Sequence, residues 1–428
     1  MYSTLRRLYQ GSRMRGAVKS APEDFVVCEI VGKGVALEPG TKYTPDMLGM
    51  EEKPGKFCIF VLQKRNWNTT QALKEIARRL RKGMRSMGFA GTKDRLSVST
   101  QLCSAFAAGP SQLASIHIKD IEINGAWSGD AQIDMGSLIG NRFAITVRGT
   151  EGQDSLEKAL GTLNGAFPNY FGEQRFGFRN NNVSIGLSIL KQDFEGAAMR
   201  FLTDTANELR EEAVAARKEL AETRDFKAAL QRFPGYLKYE RAMIEYLSRY
   251  PTNYANAIRK LPRSLSLMFV HAVEDSIFNE ELCRRVESGE TSPAEGELSC
   301  GTNGYGFPDV KTTGPYAPEL GNAFLVGNLV GYDTKSPTKL ESELLEEFGI
   351  SLESFKANGI KELNCKGSFR VMFAPYKWVS SSIGQDDAKL VFELPAGSYA
   401  TVLLDELVDS ESGSPAGASD SGKSAGRN

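Results

Sequence analysis

The chain has 428 residues, 41% hydrophobic and 25% charged, enough for two or three domains with cores of their own. A formal net charge of −1 argues against a protein that coats nucleic acid by bulk charge, but leaves room for a local basic patch. No run of about 18 apolar residues offers a membrane span, the basic start MYSTLRRLYQGSRMRG lacks the apolar stretch of a secretory signal, and a cytoplasmic protein is expected.

The stretch SAPEDFVVCEI, residues 20–30, carries Glu23 and Asp24 ahead of an apolar run that predicts a strand, with Lys19 just upstream. KFCIFVLQKR, residues 56–65, predicts a second strand. TTQALKEIARRLRKGM, residues 69–84, predicts a helix with Leu73, Ile76, Ala77, Leu80 and Met84 on one face, a cap at Asn68 or Thr69, and an end near Gly83. Its basic residues Lys74, Arg78, Arg79, Arg81, Lys82 and Arg85 largely avoid that face. They form either a dock for a polyanion or a merely solvated side. The helix delivers the chain to GFAGTKDRLSVSTQ, residues 88–101, where Asp94 stands between Lys93 and Arg95. RFAITVRG, residues 142–149, alternates Phe143, Ile145 and Val147 against polar or small residues, the pattern of a half-buried strand.

From about residue 153 to 290 the texture is helical, with DTANELREEAVAARKELAETRDFKAALQRF and RSLSLMFVHAVEDSIFNEEL as the longest candidates. NYFGEQRFGFRNNN, residues 169–182, interleaves aromatics with arginine, suited equally to base stacking and to core packing. FRVMF, KLVFELP and SYATVLL then read as returning strands. The order suggests a sheet domain interrupted by a mostly helical one. The tail from Ser410 is Ser/Gly/Ala-rich and reads as disordered.

Several chemistries lack their motifs. The order Gly-Thr-Lys-Asp is not G-x-x-x-x-G-K-[ST], and an aspartate at the mouth would repel phosphate, so the turn is no nucleotide loop. GTNGYGFPD is out of register for a dinucleotide fingerprint, and no G-x-S-x-G presents a serine. Six scattered cysteines without a C-x-x-C pair and two distant histidines, His117 and His271, give neither a disulfide framework nor zinc-site spacing. Asp94 alone reads as a turn residue, since aspartate bonds nearby backbone N–H groups in turns; the basic helix before it makes a reactive carboxylate the competing reading.

Lys19, PEDFVV, GFAGTKDRLSVSTQ, GNRFAITVRG, NYFGEQRFG and LPAGSYATVLLDELV occur in this order, and the chain resembles the TruD family of pseudouridine synthases from about residue 15 to 408. KYERAMIEYL and the insertion length look more like archaeal members. The resemblance implies an α/β (α+β) fold: a mixed-sheet catalytic domain interrupted by a large, mostly helical insertion, with an RNA-binding cleft between them. The expected boundaries are 1–160 and 366–409 for the catalytic parts, 161–365 for the insertion, and 410–428 for the tail. It implies isomerisation of a uridine in tRNA, typically position 13, by a monomer. With no redox change, no cofactor, nucleotide or metal is expected.

Carried over residue by residue, Asp94 is the catalytic aspartate. Phe143 is an active-site aromatic with Asn141 beside it, and Lys19 and Glu23 line the site. Lys19 is then the cation expected beside Asp94, because adjacent side chains such as Lys93 and Arg95 point apart on extended chain. Arg78, Arg81, Lys82, Arg85, Lys93, Arg95 and Arg175 are the expected RNA contacts. The chain departs from the family pattern at FRNNNVSIG and at Glu274, Asp275 and Ser276, all within the insertion. A catalytically silent tRNA-binding or chaperone protein on the same scaffold is the alternative.

Overall fold

A computed structural model describes residues 5–152, 154–320, 323–357 and 359–410; most of the expected disordered tail, 411–428, lies outside them. The chain forms two compact units. One holds Leu8–Phe167, Asn303–Phe307 and the chain from Ala374; the other holds Pro168–Thr302 and Pro308–Phe373, with the residues up to Arg7.

The first unit is built on a large mixed sheet. Its main path runs Lys377–Ile383, Asp387–Pro395, Gly140–Glu151, Phe25–Val31, Val98–Phe106, Phe57–Arg65 and Ile121–Gly129. Neighbours along this path are antiparallel except one pair: Phe25–Val31 and Val98–Phe106 run parallel, with Val26 opposite Val98. Parallel neighbours enter the sheet from the same end, so the loops preceding them lie side by side. Those loops carry Lys19 and Asp94, which is how two residues 75 positions apart come to meet.

One sheet face is covered by helices. Leu73, Ile76 and Ala77 of the helix Thr69–Arg79 pack on Phe60, Leu62, Cys103 and Ala105. Leu156, Ala159 and Leu163 of Asp154–Leu163, with Leu403, Leu404 and Leu407 of Ala400–Leu407, pack on Phe143, Ile145, Val147 and Phe392. Each such fully buried aliphatic side chain contributes about 1.5–3 kcal/mol.

Two readings of the sequence are corrected here. The helix expected to run to Met84 ends at Arg79. Arg81 takes a left-handed φ of 57°, and Met84–Ser86 form a separate turn of 3-10 helix. SYATVLL, read as a strand, lies mainly in the helix Ala400–Leu407; Ala400, Leu403, Leu404 and Leu407 have helical spacing that its β-branched residues hid.

The second unit is mostly helical, as its texture predicted. The long charged stretch is two helices, Glu211–Thr223 and Phe226–Arg232, broken at Arg224 (φ 53°) and recapped by Asp225. Arg263–Ser288 is a single 26-residue helix. A small sheet of Gly314–Pro315, Leu298–Cys300, Phe324–Leu329 and Ser368–Val371 completes it. Among the described residues no helix is long and apolar enough to cross a membrane.

Candidate active site

Strand register places the polar groups of the site. Lys64 is opposite Ser99, Ser99 opposite Val27, Val27 opposite Phe143, and Phe143 opposite Phe392. One step along, Leu62 faces Gln101, and Glu29 faces Asn141. Directly opposed residues share a face, as do residues two apart on one strand. Lys64, Ser99, Gln101, Glu29, Asn141 and Phe143 therefore lie on one side of the sheet. The glycine of GNRF is required by close approach: a Cβ at Gly140 would sit 2.3 Å from the Leu394 carbonyl oxygen.

The loop carrying Asp94 is clamped from below by its backbone. The buried Lys64 Nζ donates to the carbonyls of Trp67 (2.5 Å), Lys93 (3.3 Å) and Asp94 (2.8 Å). Ser97 Oγ donates to the same Asp94 carbonyl at 2.8 Å. The Lys93 N–H donates to Thr69 Oγ1, whose hydroxyl donates to Gln101 Oε1, and Gln101 Nε2 donates to the Gly91 carbonyl. The Asp94 carboxylate is left half exposed, with Oδ2 accepting from Lys19 Nζ at 2.9 Å.

Lys19 is itself fixed. Its backbone is left-handed, φ 62°, uncommon for a residue other than glycine, and its ammonium lies 4.0 Å over the Phe25 ring. Its loop is stapled by Asp24, which accepts from Ala21 N–H and from Arg148, and by the Glu23–Arg65 ion pair. Arg65 holds the Glu23 carboxyl below its usual range.

The other expected residues are less uniform. Phe143 is 6% exposed, set edge-on to Phe25 and stacked on Phe392, which stacks in turn on Trp378. It forms a wall rather than an open platform. Asn141 Oδ1 and Ser99 Oγ are buried without a hydrogen-bond partner, so this face holds uncommitted polar atoms. Arg78 is exposed but engages Glu75 along the helix, whereas Arg81, Arg85 and Arg95 are exposed and Lys82 half-buried.

One expected RNA contact does not fit its surroundings. Lys93 turns inward, its ammonium 2.8 Å from the fully buried Glu29, because alternation along the chain sends it opposite to Asp94. Arg175 lies in the other unit, 2.5 Å from the buried Asp275. Sequence reading missed Glu29 and Lys64. Glu29 is a single charge interrupting the apolar strand FVVCEIV, and that interruption was the available signal; Lys64 sits beside Arg65 at the polar end of FCIFVLQKR, where nothing in the sequence marks it as buried.

Lys64 also predicts a pH dependence. Burial pulls its ammonium down to about 8, partly opposed by the charge of Asp94. An ammonium has three N–H donors for its three carbonyls; the neutral amine has two. Turnover is expected to fall with an apparent pKa near 8. Stability has the opposite sign. The folded value lies below the ordinary 10.5, so the Lys64 contribution grows from about 8 to 10.5 and is lost as pH falls through 8. Loss of turnover without loss of thermal midpoint identifies the loop; a rate unchanged well above pH 8 contradicts it.

The family model for tRNA pseudouridine synthase D (TruD) matches residues 6–407. The chain belongs to the TruD family. It is 33% identical to a probable tRNA pseudouridine synthase D of Methanosarcina acetivorans over 92% of each chain. It is 36% identical to one of Methanopyrus kandleri over 83% of this chain and 86% of that one. A crystal structure of the putative TruD of Methanosarcina mazei is similar to this fold with a TM-score of 0.72 and 32% identity, covering 94% of this chain and 95% of that chain. The family has the sheet-plus-insertion organisation described above.

Proposed function

We propose that this TruD-family chain converts a uridine of tRNA, at position 13, to pseudouridine, with Asp94 as the reacting carboxylate. The observation that carries the reading is the clamped Asp94 loop, which presents a half-exposed carboxylate paired to Lys19 at 2.9 Å. Isomerisation breaks the N1–C1′ bond and rejoins uracil through C5, with the C5 proton lost and N1 protonated. A single fixed carboxylate can serve by attacking the sugar or by taking a proton. Lys19 compensates its charge while leaving the second oxygen to substrate.

The target base must leave its stack, at a cost of a few kcal/mol. The Phe25–Phe143 pair, with Lys19 over Phe25, gives a wall against which such a base can lie. The enzyme is proposed to act as a cytoplasmic monomer without a nucleotide. Incubation with an unmodified tRNA transcript, no nucleotide or metal added, followed by pseudouridine mapping, tests the reading. Binding without modification would instead favour a silent tRNA-binding protein.

The groove along the helix Thr69–Arg79 is the proposed phosphate contact, since Lys74, Arg78 and Lys82 line it. Changing Lys74, Arg78 and Lys82 together to glutamine is expected to reduce the salt slope of tRNA affinity by about two to three, at roughly 0.7–0.9 per lost phosphate contact. An unaltered slope means this face meets only solvent.

A further inference from the structure

The helical unit brings together three side chains, two of them neighbours on one helix and the third far along the chain. His271 and Glu274 lie three apart on one face of the helix Arg263–Ser288, with His271 Nδ1 2.7 Å from Glu274 Oε2. Cys365 reaches them from 94 residues away, its Sγ 4.0 Å from the same Nδ1. All three potential ligand atoms fall within 4.8 Å of one another. Cys365 is held in place by its backbone: its N–H donates to the Phe355 carbonyl and its own carbonyl accepts from Tyr332. An ion pair between His271 and Glu274 would use one carboxylate oxygen, and it does. The other, Oε1, is buried without a hydrogen-bond partner on a residue only 3% exposed. A carboxylate oxygen left so is costly unless something else occupies it.

We propose that His271, Glu274 and Cys365 form a zinc site. One imidazole nitrogen, one carboxylate oxygen and one thiolate are a borderline-soft donor set of the kind zinc takes, leaving a fourth position for water. Bonds of about 2.0–2.3 Å place the ligand atoms of a tetrahedral site roughly 3.3–3.6 Å apart. The N···O pair at 2.7 Å must therefore open and the N···S pair at 4.0 Å close, each by a few tenths of an ångström to about 0.6 Å. Side-chain torsions can supply this. Binding exchanges the Cys365 S–H bond for a Zn–S bond and releases that proton to solvent, with no change of oxidation state. The metal would tie the long helix to the segment around Cys365.

The test uses the full chain, stripped with chelator and then titrated with zinc against a chromophoric competitor, and separately with cobalt. One equivalent of zinc per chain is expected. Cobalt should give the thiolate charge-transfer band and intense visible bands of tetrahedral coordination. Zinc is expected to raise the thermal midpoint of the native chain by several degrees. Cys365→Ser and His271→Ala should each weaken zinc binding at least about tenfold and remove that rise, whereas Cys300→Ser, at another buried thiol of the unit, should leave both intact. Cys365→Ser changes one atom, and its circular dichroism establishes that it folds. Failure of the native chain to bind zinc stoichiometrically, or undiminished binding by Cys365→Ser, overturns the site and leaves a His–Glu ion pair beside a thiol. None of these readouts depends on turnover.

Discussion

Asp94→Asn is expected to lower the single-turnover rate of pseudouridine formation by at least about a thousandfold, while tRNA affinity changes no more than a few-fold. The asymmetry follows from the clamp. Lys64, Ser97 and Lys93 hold the loop through its backbone, and none of those bonds uses the Asp94 carboxylate. Asparagine keeps the shape and loses the charge and the nucleophilic or basic oxygen. Retained turnover would remove Asp94 from the chemistry. A collapse of tRNA affinity would mean that the carboxylate is a binding group instead.

Glu29→Gln is expected to destabilise the sheet unit by about 3–5 kcal/mol, because it leaves the Lys93 ammonium buried without its counter-charge. Glu29 Oε1 also accepts the Leu102 N–H, a bond that glutamine can keep. The loss is therefore assigned to charge. Urea denaturation measures it. The double change Glu29→Gln with Lys93→Met should recover a large part of the stability by removing the orphaned charge. No recovery would place the cost in packing. Activity in the double variant reports whether Lys93 does more than brace the turn.

Four strands of the sheet unit, Phe25–Val31, Phe57–Arg65, Gly140–Glu151 and Asp387–Pro395, were legible as apolar or alternating runs, and the helix Thr69–Arg79 by its spacing and its Asn68 cap; Val98–Phe106, Ile121–Gly129 and Lys377–Ile383 were not read as strands. The Lys19–Asp94 meeting was legible only through the family resemblance. From the residues alone it depends on one parallel strand pairing, which periodicity does not reveal. Lys64 and Glu29 were hidden for a related reason. Their importance lies in which strands flank them, and the charge inside the apolar run at Glu29 says only that a partner exists. SYATVLL failed through composition, since Thr, Val and Tyr favour strands until a buried helical face overrides them. His271 and Cys365 were far apart in sequence, so a search by ligand spacing could not join them.

The strand order has a consequence for synthesis on the ribosome. Gly140–Glu151 is flanked by Phe25–Val31 on one side and by Asp387–Pro395 on the other. The second partner is translated after the whole of the helical unit. During that interval a central strand has an unpaired edge carrying Phe143, Ile145 and Val147, the kind of edge that recruits other chains. The helical unit, contiguous from Pro168 to Phe373 but for Asn303–Phe307, can collapse first. The sheet unit, whose strands from Met14 to Glu151 are made before the helical unit, is then the last to finish, and truncation before residue 387 should yield a protein that aggregates through that open edge.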